Sequence, residues 1–128
     1  VCFLAIGRMV AVALVAAAVL DGEGIRDGVI KSRWMKPIDP RLATEWAPRY
    51  PALVTAEDNV VTGGFGAAVL ETLAPHGLAG KVRVRALPDS FLPHASARDI
   101  LAQHGLDAPG LAQAARDAIR EGSPRPAP

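Results

Sequence analysis

The sequence predicts an α/β domain of three layers, in which helices cover both faces of a mostly parallel, or mixed, sheet of about four or five strands. Two observations carry this prediction. Short apolar runs of strand length alternate along the chain with longer segments of helical pattern. The apolar run at residues 52–56 ends in the polar sequence Glu57-Asp58-Asn59 and is followed by a glycine-rich helix start. A buried parallel strand that reaches the surface at its carboxyl end has this pattern.

The first strand and the first helix are predicted at residues 1–6 and 9–20, with a turn at Gly7-Arg8 between them. Residues 9–20 carry no polar side chain. A membrane span needs about 20 residues, and the preceding strand argues against a secretory signal, so we expect no membrane association. A helix on the surface of an isolated domain would have a polar face. We therefore expect the sheet to cover one side of this helix and another domain or subunit to cover the other.

The second strand is predicted to begin at residues 28–30, and a second helix at Asp39-Pro40. The Asp39 side chain would cap free N–H groups, and Pro40 loses no hydrogen bond in the first turn of a helix. Leu42 and Trp46 would give this helix its buried contacts. Residues 52–56 form the predicted third strand.

A helix opened by glycines is predicted from about residue 63 to Ala74. Its start contains Gly63, Gly64 and Gly66. The spacing of these glycines matches neither a Walker loop nor a dinucleotide fingerprint. We therefore favour a close-packed structural turn over an anion site.

The last third of the chain contains a strand and two helices. Residues 81–87 alternate between basic and apolar side chains, which predicts a half-buried strand near a sheet edge. Its basic side is expected to face solvent, although it could meet carboxylates of a partner or a phosphate. Ser96 with Asp99 predicts a capped helix that ends at Gly105, and Asp107 predicts the cap of the last helix. We expect one domain over residues 1–121 and a disordered tail over 122–128.

Composition excludes several classes of function. The net charge is +1 over 128 residues and the basic residues are scattered, so no nucleic-acid partner is expected. The single cysteine, Cys2, lies in a predicted strand, which favours burial over nucleophilic chemistry. A single cysteine excludes an internal disulfide and is typical of proteins in a reducing compartment, so we expect a cytoplasmic protein. Because the chain begins with Val1 and at once forms a core strand, we expect a piece of a longer chain.

Polar groups cluster at the ends of the predicted strands, at Gly7-Arg8, Ser32-Arg33, Glu57-Asp58-Asn59 and Asp89-Ser90. Parallel strands would bring them to one edge of the sheet, which is the usual place of function in this architecture. Arg8 could pair with Glu57 or Asp58 or hold an anion, and we favour the internal pair. Glu57 could act as a general base, but we favour a carboxylate that caps a turn.

The three histidines, His76, His94 and His104, are too far apart in sequence to indicate a metal site. His94 lies in a loop bracketed by prolines, where loop packing or a subunit contact is favoured over catalysis. No nucleophile with a partnered base and no thiamine, nucleotide or metal signature is visible. The residues alone therefore predict no catalytic, cofactor-binding or metal-binding position.

Four segments resemble one known family, in that family's order: AIGRMV at 5–10, RWMKPIDP at 33–40, VTAEDNVVTGGFG at 54–66 and LPDSFLPH at 87–94. The chain is similar to the C-terminal domain of 1-deoxy-D-xylulose-5-phosphate synthases through about Ile119. The glycine-opened helix alone would indicate only the wider transketolase C-terminal domain. Ser90 stands where the family pattern usually has arginine, and Ala95 where it usually has glycine.

The resemblance implies a thiamine-diphosphate enzyme that condenses pyruvate with glyceraldehyde 3-phosphate, releases carbon dioxide and begins the non-mevalonate route to isoprenoids. It also implies that the cofactor, its magnesium ion and the substrate site belong mainly to two preceding domains that are absent here, so no cofactor is expected on this segment alone. The segment would complete the fold and the homodimer.

Two other interpretations stay open. The chain could be a free-standing α/β module that binds a small anionic ligand or regulator at the strand ends. It could also be a partial gene product without a function of its own, whose uncovered apolar helix would make it aggregate.

Overall fold

The computed structural model describes residues 1–122, and these form one four-stranded sheet with helices on both faces. The strands are β1 (Cys2–Ile6), β2 (Gly28–Ser32), β3 (Leu53–Val60) and β4 (Val82–Leu87). The helices are α1 (Met9–Gly22), α2 (Phe65–Leu73), α3 (Ala97–Gln103) and α4 (Ala108–Gly122). The sheet order is β2-β1-β3-β4, and every pairing among these strands is parallel. The predicted three-layer α/β fold is confirmed.

Two apolar layers hold the helices to the sheet. On one face, α1 and α4 pack over β1 and β3 around Phe3, Val54 and Met9, which are fully buried. On the other face, α2 and the turns at residues 42–49 cover Leu4 and Leu53. The strands alternate their side chains between these layers, so β1 and β3 are buried on both sides, as central parallel strands usually are.

The helix α1 matches its predicted position, and it is only half covered. Met9, Ala13 and Leu20 are fully buried, while Leu14 and Val15 are 55% and 56% exposed. Its 14 residues rise about 21 Å. Among residues 1–122, no helix has both the length and the apolar content that a bilayer crossing requires. The expectation that the sheet covers only one side of this helix is confirmed.

The segment predicted to begin a helix at Asp39-Pro40 is helical, but it is not a regular α-helix. It forms a π-helix at Leu42–Trp46 and a 3-10 helix at Ala47–Arg49. Asp39 does accept a hydrogen bond from the backbone N–H of Arg41, at 3.0 Å. Leu42 is buried and Trp46 is half-buried, as predicted.

The strand β3 extends beyond its predicted end at residue 56, because Val60 pairs with Leu87 of β4 after a bulge. Glu57, Asp58 and Asn59 therefore lie within the strand and not in the loop after it. At the other end of the chain, α4 includes Gly122, one residue beyond the predicted domain boundary. The rest of the predicted disordered tail lies outside the described residues and stays a prediction.

The strand β4 is an edge strand, as predicted, but α4 partly covers its basic side. The Arg83 guanidinium donates to Glu121 Oε2 at 2.7 Å, and Arg85 Nη2 donates to the carbonyl of His104 at 3.0 Å. This side of the strand was expected to face solvent; Arg83 and Arg85 are instead half-buried and have partners within the chain.

The predicted caps of the last two helices are confirmed. The Ser96 hydroxyl accepts from the N–H of Asp99 at 3.1 Å, which caps α3. Asp107 Oδ1 accepts from the N–H of Gly110 at 2.9 Å at the start of α4. Gly105 ends the α3 segment with a φ of 64°, in the left-handed region that favours glycine.

Candidate functional site

The carboxyl ends of the strands meet at one edge of the sheet, as predicted. Ile6 pairs with Ser32, and the N–H of Val61 donates to the carbonyl of Leu87 at 2.8 Å. Arg8 and Arg33, which follow β1 and β2, and Asp58, near the end of β3, are therefore brought to the same end of the domain. Whether this edge binds a ligand stays a prediction.

Glu57 is a buried cap of helix α2. Its Oε2 accepts the N–H of Phe65 and its Oε1 accepts the N–H of Gly66, both at 2.7 Å. The first N–H groups of a helix have no partner within the helix, and a carboxylate satisfies them and interacts favourably with the helix dipole. Glu57 is only 1% exposed, so a substrate cannot reach it. The geometry agrees with the favoured cap and disfavours a general base.

The glycines before and within α2 permit this close approach. Gly63 has a φ of 68°. A Cβ on Gly64 would lie 2.5 Å from the carbonyl oxygen of Val60, and one on Gly66 would lie 2.5 Å from Val84 Cγ1. The helix start therefore fits closely against β3 and β4, and its N–H groups already bind the carboxylate. This arrangement is a close-packed turn and leaves no anion site at the helix start.

Arg8 pairs with Asp58. Its Nε lies 2.7 Å from Asp58 Oδ2, and the two side chains are 56% and 35% exposed. The favoured internal pair is therefore present, and Asp58, not Glu57, is the partner. An exposed pair of this kind contributes about 0–1 kcal/mol. Asn59 is exposed.

The remaining candidates do not gather into a catalytic group. Arg33 and His94 are exposed, and neither side chain makes a hydrogen bond or ion pair with any residue in the described range 1–122. His76 is exposed at the end of α2, far along the chain from the half-buried His104. No three His, Cys, Asp or Glu residues in this range are placed to hold a metal ion.

Cys2 is fully buried, and burial raises the pKa of its thiol to about 12. A thiol with such a pKa is protonated at neutral pH and is a poor nucleophile. The structure therefore agrees with the structural role expected for this residue.

A cleft of about 420 Å³ follows β2, and the sequence analysis did not predict it. Trp34, Ile38 and Trp46 line it together with the basic residues Lys31 and Arg33. Trp34 is 71% exposed. A tryptophan is normally assigned to a core, so only the course of the chain after β2 shows that this side chain faces outwards.

One ion pair forms the wall of the same cleft. Arg41 donates to both carboxylate oxygens of Asp39 and lies 4.9 Å from the ring centroid of Trp46. The hydrogen bond from Arg41 lowers the pKa of the Asp39 carboxyl. Arg41 is therefore neutralised, whereas the other cations of the cleft are not.

A second groove, of about 460 Å³, runs beside α1. It is lined mainly by apolar side chains, among them Val12, Val15, Leu101 and Leu106. Leu14, Val15 and Val19 form the exposed side of the helix, which we call the α1 outer face. It carries no charge.

The fold defines a three-layer α/β domain with a parallel sheet, and comparison with known proteins shows the family to which it belongs. The family model "Transketolase, C-terminal domain" matches residues 1–111, so the chain belongs to this family. Its relatives include 1-deoxy-D-xylulose-5-phosphate synthases, which confirms the resemblance found in the sequence. That of Aquifex aeolicus is 44% identical over 120 residues, and synthase 1 of Geobacter sulfurreducens is 43% identical over 130 residues. These alignments cover 93% and 99% of this chain but only 19% and 20% of the relatives.

Solved structures agree with this assignment. A split-gene transketolase described as an inactive β4 tetramer superposes with a TM-score of 0.86 at 34% identity, covering 95% of this chain and 40% of that one. A transketolase from Leishmania mexicana gives a TM-score of 0.61 at 17% identity over 99% of this chain and 17% of its own, which shows the shared fold. The chain thus spans about a fifth of the length of the curated synthases that it matches.

Proposed function

We propose that this chain acts as the C-terminal domain of a thiamine-diphosphate-dependent 1-deoxy-D-xylulose-5-phosphate synthase. The whole enzyme would be a transferase that condenses pyruvate with glyceraldehyde 3-phosphate and releases carbon dioxide, at the start of the non-mevalonate route to isoprenoids. The observation that carries the proposal is the 44% identity to the Aquifex aeolicus synthase over 93% of this chain. The enzyme would work in the cytoplasm.

The residues of this chain do not fit thiamine diphosphate or its magnesium ion. A helix start is a common diphosphate site, but the Glu57 carboxylate occupies the start of α2 with a negative charge. No suitable cluster of metal ligands exists within residues 1–122. We therefore assign the cofactor and the metal to the rest of the synthase and derive no catalytic step from this chain.

The role of the domain is assembly. The α1 outer face exposes three large apolar side chains on a helix that has no charge from Met9 to Leu20. A surface of this kind normally marks a protein contact. In the proposed enzyme, this face contacts another domain or subunit, and the domain helps to form the homodimer.

A chimera tests the proposed function. The matched C-terminal segment of the Aquifex aeolicus synthase is replaced by this chain, and turnover of pyruvate and glyceraldehyde 3-phosphate is measured. We expect turnover by the chimera and none by the isolated chain. The control is the Aquifex enzyme without its C-terminal segment. A folded chimera no more active than this control would contradict the proposal, as would turnover by the isolated chain.

The alternative function, a free-standing module that binds a small anion, receives less support. Asp58 already neutralises Arg8, and Glu57 occupies the helix start. Titration of the isolated chain with inorganic phosphate and diphosphate is therefore expected to be flat. Tight binding that is lost in Arg8→Ala would support the alternative instead.

A further inference from the structure

The cleft after β2 has an excess of positive charge. Lys31 and Arg33 line it and Lys36 lies in the same loop, and none of the three makes an ion pair with a residue in the described part of the chain. Asp39, the carboxylate that lines this cleft, forms an ion pair with Arg41. Of the residues that line the cleft, Trp34 and Arg33 are of the types that dominate protein interfaces. The cleft therefore fits a segment that carries an apolar side chain next to a carboxylate.

The loop after β4 is such a segment. Phe91 is fully exposed, with a relative accessibility of 107%. Asp89, two residues earlier, is exposed and makes no ion pair with any residue from 1 to 122. Pro88 and Pro93 bracket the loop and restrict its backbone, and the N–H of Ser90 donates to the carbonyl of Pro88 at 3.0 Å. The loop thus presents an aromatic ring and a carboxylate in a restricted conformation.

The sheet order places the cleft and the loop at opposite sides of the same end of the domain. The strands β2 and β4 are the two outer strands. Neighbouring strands lie about 4.8 Å apart, so three spacings separate these strand ends by roughly 14 Å. A twofold axis parallel to the sheet normal places two copies with these edges facing each other and with the strand order of one reversed relative to the other. The β2 end of each copy then lies opposite the β4 end of the other. Both contacts then form together, because a twofold interface is reciprocal.

We propose that two copies of this chain exchange these elements: Phe91 of each copy enters the Trp34–Trp46 cleft of the other, and Asp89 pairs with Arg33 or Lys31 there. The contact refines the homodimer part of the proposed function and does not depend on the reaction that the whole enzyme catalyses. The volume of the cleft is about 420 Å³, and Lys31 and Arg33 are among the residues that line it.

Sedimentation of the isolated chain tests the exchange. We expect a monomer–dimer equilibrium whose dissociation constant rises at least tenfold in Phe91→Ala and in Trp34→Ala, because buried aromatic anchors dominate such contacts. Arg33→Glu and Asp89→Arg should each weaken the dimer. The double variant that carries both reversals should regain at least part of the lost affinity, since each new cation meets a new carboxylate on the other copy. Ala74→Glu, an exposed position at the end of α2, is the matched control and should leave the equilibrium unchanged.

A cysteine pair gives a second, geometric readout. Phe91→Cys together with Pro37→Cys should form an intermolecular disulfide on oxidation, and the buried Cys2 does not compete. Either single variant should cross-link far less.

Three results would overturn the exchange. The first is that the chain stays monomeric up to millimolar concentration. The second is that Phe91→Ala leaves the dimer affinity within twofold of the original. The third is that Leu14→Ser, on the α1 outer face, abolishes the dimer instead. The Aquifex chimera separates this inference from the proposed function, because its turnover can be present whether or not the exchange occurs.

Discussion

Replacing Glu57 by glutamine should strongly destabilise the domain. The carboxylate accepts two backbone N–H groups at 2.7 Å and is 1% exposed. Hydrogen bonds to a charged group contribute about 1.5–3 kcal/mol each. Glutamine has one acceptor oxygen, so one N–H loses its partner and faces the new NH₂ group. We expect a loss of about 2–4 kcal/mol, which is a large part of the 5–15 kcal/mol that is typical of a domain.

Urea unfolding monitored by circular dichroism measures this loss of unfolding free energy. With a slope of about 2 kcal/mol per molar urea, the midpoint of Glu57→Gln should fall by about 1–2 M without a change in slope. Asp58→Asn, at the next position, is the control and should cost less than about 1 kcal/mol because its pair with Arg8 is exposed. A Glu57→Gln midpoint within about 0.3 M of the original would refute the cap as a major source of stability.

Three further predictions concern packing and ionisation. Gly66→Ala should lower the free energy of unfolding by about 1–3 kcal/mol through overpacking. Gly80→Ala is the control: no heavy atom lies within 4 Å of the added Cβ, so the same urea assay should show almost no change. Iodoacetamide should label Cys2 only in unfolded protein, since burial raises its pKa to about 12, and rapid native labelling would contradict that burial. The hydrogen bond from Arg116 lowers the pKa of the Glu23 carboxyl, so this pair stabilises the fold above the unfolded pKa and is lost as pH falls. The urea midpoint should therefore drop less between about pH 5 and 3 in Glu23→Gln than in the original chain. An equal drop of the midpoint in both proteins would argue against the pair.

Local patterns predicted most of the fold. The apolar runs and periodicities placed β1, α1, α2 and β4, because each element buries a face that shows in its own sequence. The end of β3 was missed because Val60 is held by Leu87, 27 positions away, and local sequence does not show such a pairing. The helix predicted at Asp39 is present but irregular, because capping signals mark a start and do not ensure a regular α-helix. Pro48 lacks an N–H group and lies in the 3-10 helix that ends this segment.

The candidate site was predicted in outline. The sequence placed Arg8, Glu57 and Asp58 at one edge, but only the geometry assigns the buried cap to Glu57 and the exposed ion pair to Asp58. Adjacent carboxylates on a strand point to opposite faces, and a one-residue difference in register exchanges their roles. The exposure of Trp34 and Phe91 could not be predicted, because apolar residues are normally assigned to a core and loops carry no periodic signal.

The central position of β1 has a consequence for synthesis on the ribosome. Cys2 lies between Gly28 and Leu53 in the sheet, so the first strand of this domain gains its second neighbour only after more than fifty residues of the domain have been made. The apolar α1 emerges in between, and its buried side is complete only when α4, the last helix, packs against it. Pairings of such long range form slowly. The nascent domain therefore exposes its most apolar helix for nearly the whole of its translation, and it should depend on chaperones more than its size alone would indicate.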